Sequence, residues 1–282
     1  MKARSLKIGV LMIASVLLLT ACGGSDIEQS GFDSPEAAVV AYLEGLQGMD
    51  LDRMMSAFAI ETFVDNFDLV AHLEWVKWYN FYGGHIPNVN ELARALNIER
   101  RRNQVSGSIR SQYTILTRME QAELAYNLLM NHFQRHIPQG EANDFVRELS
   151  DFYNAAELHR LEILGFFSND DLMLHELLPF YFWELLELTE HLQLNQEIFE
   201  RRIPGLGADE LVSRVAVFQL NEMTILLFAD VVNYDGRWYL LELGGSFAVS
   251  VGLPWESYGL LLVPPEYMDY FDGLWENMIT QW

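Results

Sequence analysis

The stretch that decides the fold is MTILLFADVVNYDGRWYLLEL, residues 223–243. It contains two runs rich in β-branched and aromatic residues, Met223–Tyr234 and Arg237–Leu243, joined by Asp235-Gly236. An Asp-Gly pair between two such runs is a strong hairpin signal, because both turn residues must adopt positive φ. The sequence therefore predicts two antiparallel strands joined by a tight turn.

A third run of the same kind, Val212–Leu220, precedes this hairpin and is joined to it by Asn221-Glu222. The three runs together predict an antiparallel β-meander within residues 209–251. Ser246–Val251 is a candidate for a further strand in the same region.

The register of the predicted meander brings charged side chains together. With the two turns placed as above, Arg214 faces Ala229 and Ala229 faces Glu242, so the three form one row on one face of the sheet. Asp230 then points to the opposite face. A charged pair on an apolar face is either a polar spot in a pocket, where a ligand is oriented or a proton is moved, or a structural salt bridge at the rim of the sheet.

Both faces of the meander are predicted to be covered, because apolar residues occupy both sides of its strands. A sheet with one solvated face would alternate apolar and polar residues. We expect the N-terminal helices to cover one face. The helical middle of the chain, the C-terminal helix or a second copy of the protein must cover the other.

The N-terminal helices are predicted over residues 34–82. Ser34-Pro35-Glu36 is a strong helix start, with an N-cap, a proline in the first turn and an acidic residue, and Gly48 is the expected stop. A second helix is predicted to begin near Asp50, and a third to span Glu61–Tyr79.

Residues 83–208 are predicted to be a large helical insertion. Its helices are expected at Val89–Asn97, Ser108–His136, Glu141–Phe166 and Asp170–Arg201. Residues 252–282 form a C-terminal segment with a predicted helix, Glu266–Trp282. Residues 34–282 are thus expected to form a single α+β domain, with N-terminal helices packed on a C-terminal antiparallel meander.

The first 22 residues contain a basic start and then an uncharged apolar run of 13 residues, Ile8–Thr20. This run is too short for a bilayer core, which needs roughly 20 residues, so residues 1–21 are predicted to be a signal peptide. The ending Leu19-Thr20-Ala21-Cys22 resembles the lipobox of bacterial lipoproteins. The resemblance implies cleavage before Cys22 and a diacylglycerol anchor on its thiol. The alternative is an uncleaved signal with an incidental cysteine.

Charge and cysteine content exclude several functions. Three of the 18 basic residues precede Cys22, so the remaining chain has 15 basic residues against 40 acidic ones. A body this acidic is repelled by phosphate backbones, so no nucleic-acid partner is predicted. The single cysteine excludes an internal disulfide, and its acylation would exclude thiol catalysis. Residues 22–33 are predicted to be the lipidated cysteine and a short flexible tether.

Two stretches carry a resemblance to a known fold. SPEAAVVAYLEGLQGMDLDRMMSAFA, residues 34–59, and VVNYDGRWYLLELGG, residues 231–245, resemble lipoproteins with a nuclear-transport-factor-2-like domain. That resemblance implies a cystatin-like cone, in which N-terminal helices pack into the hollow of a curved antiparallel sheet. The helical middle departs from the small family domain and would be an insertion.

No catalytic or metal-binding motif is complete in this sequence. His132 and His136 have the spacing of a zinc-binding helix, but the glutamate of H-E-x-x-H is missing and Pro138 ends the helix. We therefore predict no metal, no cofactor and no assigned catalytic residue.

An arginine cluster in this acidic chain has two interpretations. It could dock an anionic partner or the lipid surface, or it could pair with neighbouring acidic residues. Its members are Arg94, Arg100, Arg101, Arg102, Arg110 and Arg118.

The sequence favours a lipid-anchored protein at the outer face of a bacterial membrane, acting without catalysis as a binding or assembly module. Its partner would be an envelope protein or a second copy of itself. The alternative is a small-molecule pocket enzyme, of isomerase or hydrolase type, that uses Arg214, Asp230 or Glu242 with a histidine. A transporter's solute receptor would consist of two alternating β-α-β lobes. The predicted helical middle of this chain disfavours that architecture.

Overall fold

The structure is a computed structural model. It describes residues 30–76, 86–117, 157–168, 200–221, 223–245 and 257–263, with the isolated residues 278 and 280. Cys22, the histidine pair at residues 132 and 136, and the candidate strand at residues 246–251 lie outside the described residues. So does nearly all of the predicted C-terminal helix, of which the two described residues, Met278 and Thr280, are not helical.

The described strands form one antiparallel sheet in the order β1-β2-β3-β4, and β5 pairs with β3 beyond the end of β4. Its strands are β1 (Glu162–Ser168), β2 (Glu210–Leu220), β3 (Met223–Tyr234), β4 (Arg237–Leu243) and β5 (Leu260–Val263). The predicted α+β class, with N-terminal helices on a C-terminal antiparallel sheet, is confirmed.

The meander has the turns that the sequence predicts. Asp235 and Gly236 have φ of 52° and 76°, and Asn221 in the other turn has φ of 50°. The sheet is larger than the predicted meander, because β1 comes from the middle of the chain. The prediction of a helix over Glu141–Phe166 is wrong for the part that is described. A short apolar run such as EILGFFS fits a buried strand as well as a helix, and pairing with β2 decides between them.

The first helix, α1 (Pro35–Gln47), begins and ends as predicted. The Ser34 hydroxyl accepts a hydrogen bond from the Ala37 N–H at 3.0 Å, and Gly48 is the C-cap. α1 packs on the sheet through five fully buried side chains. They are Ala38, Val39, Tyr42, Leu43 and Leu46.

Three shorter helices follow: α2 (Leu51–Ser56), α3 (Glu61–Asn66) and α4 (Leu69–Val76). The single predicted helix over Glu61–Tyr79 is therefore two helices. Asp68 separates them, because its carboxylate accepts hydrogen bonds from the N–H groups of Val70 and Ala71 and so caps α4.

Two further helical predictions are corrected in their bounds. α5 (Glu91–Thr117) is one helix of 27 residues where two helices were expected. Residues 200–206 are helical, so helical structure extends past the predicted end at Arg201 to the turn at Gly207, which has φ of 61°. No helix of the described ranges is long and apolar enough to cross a membrane.

Both faces of the sheet are buried, as predicted, and every residue of β3 is buried. The face toward α1 belongs to the main hydrophobic core. The other face is buried outside that core through Val215, Val217, Leu226, Phe228 and Val263. Because this burial exists within a single chain, a second copy of the protein is not needed to cover that face.

The outer edge of β4 is also paired. Phe32 and Trp238 exchange two backbone hydrogen bonds of 2.9 Å, and the Leu240 backbone bonds to Ala57 and Ala59. An exposed strand edge is a template for pairing with other chains. In this protein the N-terminal segments occupy the edge of β4.

Candidate functional site

The predicted row of Arg214, Ala229 and Glu242 is wrong by one residue. Arg214 does face Ala229, but Ala229 faces Leu243, and Glu242 faces Asp230. A β-bulge between Asp230 and Val231 causes the shift, and a one-residue shift moves a side chain to the other face of a sheet. Arg214 and Glu242 therefore lie on opposite faces, and the three predicted site residues belong to two separate polar sites.

The first site joins Arg214 to α1. The Arg214 Nε donates a hydrogen bond of 2.6 Å to Glu36 Oε1, and its Nη1 donates to the Ser213 carbonyl at 3.0 Å. The two side chains are 17% and 11% exposed. Glu36 lies in the first turn of α1, where the helix dipole also favours a negative charge. This site therefore fixes the start of α1 on the sheet.

We expect Arg214→Met to lower the free energy of unfolding by about 2 kcal/mol, because it leaves the mostly buried Glu36 carboxylate without its cation. Chemical denaturation of Arg214→Met, Glu36→Gln and the double variant would measure this. If the pair is structural, the double variant should be more stable than the sum of the two single losses implies. Strictly additive losses would contradict the pairing.

The second site lies on the opposite face, where Arg202 bridges the two other predicted residues. Its Nη1 donates to Asp230 Oδ2 at 3.3 Å, and its Nη2 donates to Glu242 Oε1 at 2.7 Å. The Arg202 side chain is 14% exposed and that of Asp230 only 1%. Helical residues 200–206 position Arg202 over the sheet, and the Tyr234 hydroxyl donates to the Leu206 carbonyl at 3.1 Å.

Asp230 is enclosed on its remaining sides. The Ser213 hydroxyl donates a hydrogen bond of 2.6 Å to Asp230 Oδ1. Gly245, with φ of 52°, lies so close that an added Cβ would be 2.4 Å from either carboxylate oxygen. Backbone therefore occupies the space above Asp230 that a ligand would need.

Arg101 from α5 is the fourth charge near this site. Its guanidinium donates to the backbone carbonyls of Ala59 and Leu241 and lies 4.6 Å from the centre of the Phe63 ring. It also acts electrostatically on Glu242. We call Arg101, Arg202, Asp230 and Glu242 the ionic cluster. With both carboxyls ionised it contains two positive and two negative charges.

The ionic cluster shifts the pKa values of its members. Burial opposes the charge on Glu242, but Arg202 and Arg101 outweigh it and hold the pKa of Glu242 below its ordinary value. Burial likewise opposes the charge on Arg202, and Glu242 and Asp230 outweigh it, so the pKa of Arg202 is raised. The arrangement thus favours the charged forms of Glu242 and Arg202.

An imidazole lies close to the ionic cluster. The backbone of His72 packs on Gly205, where an added Cβ would be 2.9 Å from the His72 Cα. Burial, and then the charge of Arg202, lower the pKa of His72, which keeps it neutral at pH 7. Among the described residues, no three histidine, cysteine, aspartate or glutamate side chains are grouped as metal ligands.

Two of the five described members of the arginine cluster, Arg94 and Arg102, pair with acids. Arg94 makes a two-pronged hydrogen bond to Asp65 at 2.6 and 2.7 Å, which raises the pKa of Arg94. Arg102 contacts Glu61 and Glu99, both at 3.1 Å. The geometry at these positions agrees with the pairing interpretation rather than with docking of an anion. Arg118 lies outside the described residues.

The N-terminal entry to the domain is fixed by β4. The Arg237 guanidinium donates to the carbonyls of Ser30 and Gly31 and pairs with Asp33. Gly31, with φ of 62°, lies against the Tyr239 ring, where an added Cβ would be 2.6 Å from the ring. We call residues 30–33 the N-terminal strap. The last four residues of the predicted tether, 30–33, are therefore held against β4.

Sequence reasoning identified Asp230 and Glu242 but missed Arg202, and it named Arg101 only as a member of the arginine cluster. An aspartate inside the apolar run LLFADVV had to find a buried cation, because an unpaired buried charge is very costly. The aspartate in this apolar run indicates that a cationic partner exists, but it does not identify the arginine.

Comparisons with known proteins give little further information. No protein-family model matches the chain, and no curated protein is significantly similar to it in sequence. Among solved structures, the chain is similar to a cystatin-like protein from Ruminococcus gnavus ATCC 29149, with a TM-score of 0.42 and 15% sequence identity. The match covers 82% of this chain and 44% of the other, so this chain corresponds to less than half of that protein. The α+β assignment rests on the described elements themselves.

Proposed function

We propose that this protein is an exported bacterial lipoprotein of the nuclear-transport-factor-2-like kind, held at the outer face of a membrane by a diacylglycerol on Cys22. It acts there without catalysis, as a binding or assembly module for another envelope component. The observation that carries the proposal is the N-terminal strap, in which Arg237 holds the Ser30 and Gly31 carbonyls at the edge of β4.

Seven residues, 23–29, lie between Cys22 and Ser30. Fully extended, the eight residue-to-residue steps from Cys22 to Ser30 span at most about 28 Å, so the domain would remain close to the lipid surface. Two acyl chains give stable anchoring, where one chain gives only marginal binding. The acidic body would be repelled by anionic headgroups, so the anchor and not electrostatics would hold the protein in place.

The geometry around the predicted site residues supports a non-catalytic role. Arg214 is paired with Glu36, and Asp230 and Glu242 are both bonded to Arg202. The alternative, a pocket enzyme, would need a carboxylate that faces an apolar cavity beside an imidazole. Asp230 does not have this environment, because Gly245 packs directly on it.

The anchor is tested by Cys22→Ala. We expect this variant to lose incorporation of a labelled fatty acid and to persist as a precursor that retains residues 1–21, because the acylated thiol is absent. Mass spectrometry of the N-terminal peptide and membrane fractionation would measure both effects, with Ser25→Ala as the matched control in the tether. An acylated, cleaved and membrane-bound Cys22→Ala product would contradict the proposal.

The binding role is tested by crosslinking the protein in its native envelope. The expected result is a crosslinked species of defined mass that contains a second envelope protein or a second copy of this chain. Turnover of a small molecule that is lost in a folded Glu242→Gln variant would instead establish the pocket enzyme.

A further inference from the structure

The described surface carries an unusual concentration of exposed aliphatic side chains. Of the nine large hydrophobic residues that are exposed in the described ranges, six fall between residues 70 and 96. Monomeric soluble proteins rarely expose large apolar patches without a function. We call these six residues the apolar rim: Val70, Leu73, Ile86, Val89, Leu92 and Leu96.

On each of the two helices, the exposed residues of the rim share one face. Val70 and Leu73 are three residues apart on α4, and Leu92 and Leu96 are four apart on α5, so each pair shares a helix face. The exposed fractions are 69% and 56% for the first pair, and 70% and 53% for the second. Arg94 lies about 200° around α5 from Leu92, on the side of the helix that bonds to α3.

Helix α3 joins the two parts of the rim. Asn88, next to Val89, donates a hydrogen bond of 2.7 Å to the Val64 carbonyl. Arg94 pairs with Asp65, and Gly207 packs on Asn66. The start of α5 and the segment that precedes α4 therefore meet on the same helix.

A short series of contacts connects this region to the N-terminal strap. Asp68, at the start of α4, donates its N–H to the Gly205 carbonyl at 3.1 Å. Asp209, just beyond, accepts from the Asp235 N–H at 2.7 Å. Asp235 belongs to the turn beside Arg237, which holds Ser30. These contacts link α4, which carries part of the rim, to the N-terminal strap.

We propose that the apolar rim rests on the lipid bilayer, with its aliphatic side chains in the interfacial region. This inference rests on the proposed anchor at Cys22. Exposed acids near the rim, Asp68, Glu74 and Glu91, disfavour anionic headgroups, so the rim alone would bind weakly. A tether of only seven residues between Cys22 and Ser30 raises the effective concentration of lipid around the rim, and a weak contact then suffices.

The test uses the acylated full chain in vesicles of phosphatidylcholine. Acylation blocks the only native cysteine, so Leu96→Cys supplies a single thiol for a fluorophore that is sensitive to its environment. We expect a blue shift and quenching by spin-labelled lipids, since interfacial helices insert their apolar faces about 5–10 Å. Met49→Cys is the matched control, because Met49 is 66% exposed beyond the opposite end of α1 and should stay in water.

A second variant keeps the test specific to the rim. Adding Val89→Glu and Leu92→Glu to labelled Leu96→Cys should lower the inserted fraction about ten-fold or more, because burying one aliphatic side chain changes affinity by at least that factor. All three positions are exposed, so the fold should be retained. Vesicles containing phosphatidylglycerol at low salt should also show less quenching.

The outcomes separate this inference from the anchor on which it depends. If the protein floats with vesicles but residue 96 remains as unquenched as residue 49, the anchor stands and the rim proposal is overturned. If the protein does not float because it carries no acyl chains, the anchor proposal fails and the rim proposal falls with it.

Discussion

Replacing Arg202 with alanine is expected to lower the free energy of unfolding by about 3–5 kcal/mol, because removal of one partner from a buried ion pair leaves uncompensated charge. Arg202 is the donor that both Asp230 and Glu242 share, and Asp230 is almost fully buried. A loss of this size is a large part of the stability of an ordinary domain. Urea denaturation followed by far-ultraviolet circular dichroism would measure it.

The matched control is Arg53→Ala. Arg53 also pairs with one carboxylate, that of Glu44, but the two side chains are 50% and 46% exposed. Exposed pairs contribute little, so we expect a loss of about 0.5 kcal/mol or less. Equal losses in the two variants would show that burial of the ionic cluster has no energetic consequence.

The pH dependence gives a second readout with a defined sign. The pKa of Glu242 is lowered from 4.5 in the folded protein, so its stabilising contribution is complete above pH 4.5 and is lost as the pH falls through the folded value. Without Arg202, only Arg101 among the cations of the ionic cluster opposes the effect of burial, so the pKa of Glu242 should lie higher than in the unchanged protein. The difference in unfolding free energy between the unchanged protein and Arg202→Ala should therefore decrease as the pH is lowered. A difference that does not change with pH would contradict this account.

Replacing Gly259 with alanine is expected to cost about 3 kcal/mol or more in unfolding free energy. Gly259 has φ of 80°, and an added Cβ would lie 2.5 Å from the Gly244 nitrogen and the Phe228 carbonyl oxygen. Both are backbone atoms that also take part in the hydrogen bonds joining β3 to these turns. The cost combines an unfavourable backbone conformation with a clash that no side-chain rotation relieves.

Gly236→Ala separates these two costs. Gly236 has a similar φ of 76°, but an added Cβ would meet no atom within 4 Å. This control should therefore lose only about 1 kcal/mol, the cost of the backbone conformation. Thermal unfolding of both variants would compare them. If Gly259→Ala lost no more stability than Gly236→Ala, the turn at Gly244 could not approach Gly259 as closely as described.

Local signals made parts of the fold predictable. The bounds of β3 and β4 follow from the Asp-Gly turn, and those of α1 from Ser34 and Gly48, because turn and cap residues determine these ends directly. Strands β1 and β5 were not predicted. Each is a short apolar run that becomes a strand only by pairing with a strand distant in sequence.

The sequence predicted which kinds of residue the candidate site contains, but not how those residues are arranged. A buried aspartate required a cation, and Asp230 has one. The bulge beside Val231 has no local signature, yet it moves Glu242 to the face opposite Arg214. Arg202 lies 28 residues from Asp230 in sequence, so tertiary structure alone could identify it as the partner.

The N-terminal strap also determines the order of events during synthesis. Arg237 holds Ser30 across a sequence separation of 207 residues, and Phe32 pairs with Trp238. A chain made from its N-terminus presents Phe32 long before the strand that receives it. Contacts of such high sequence separation form slowly, because loop closure precedes any gain from pairing. The N-terminal strap therefore cannot reach its native position until β4 has formed.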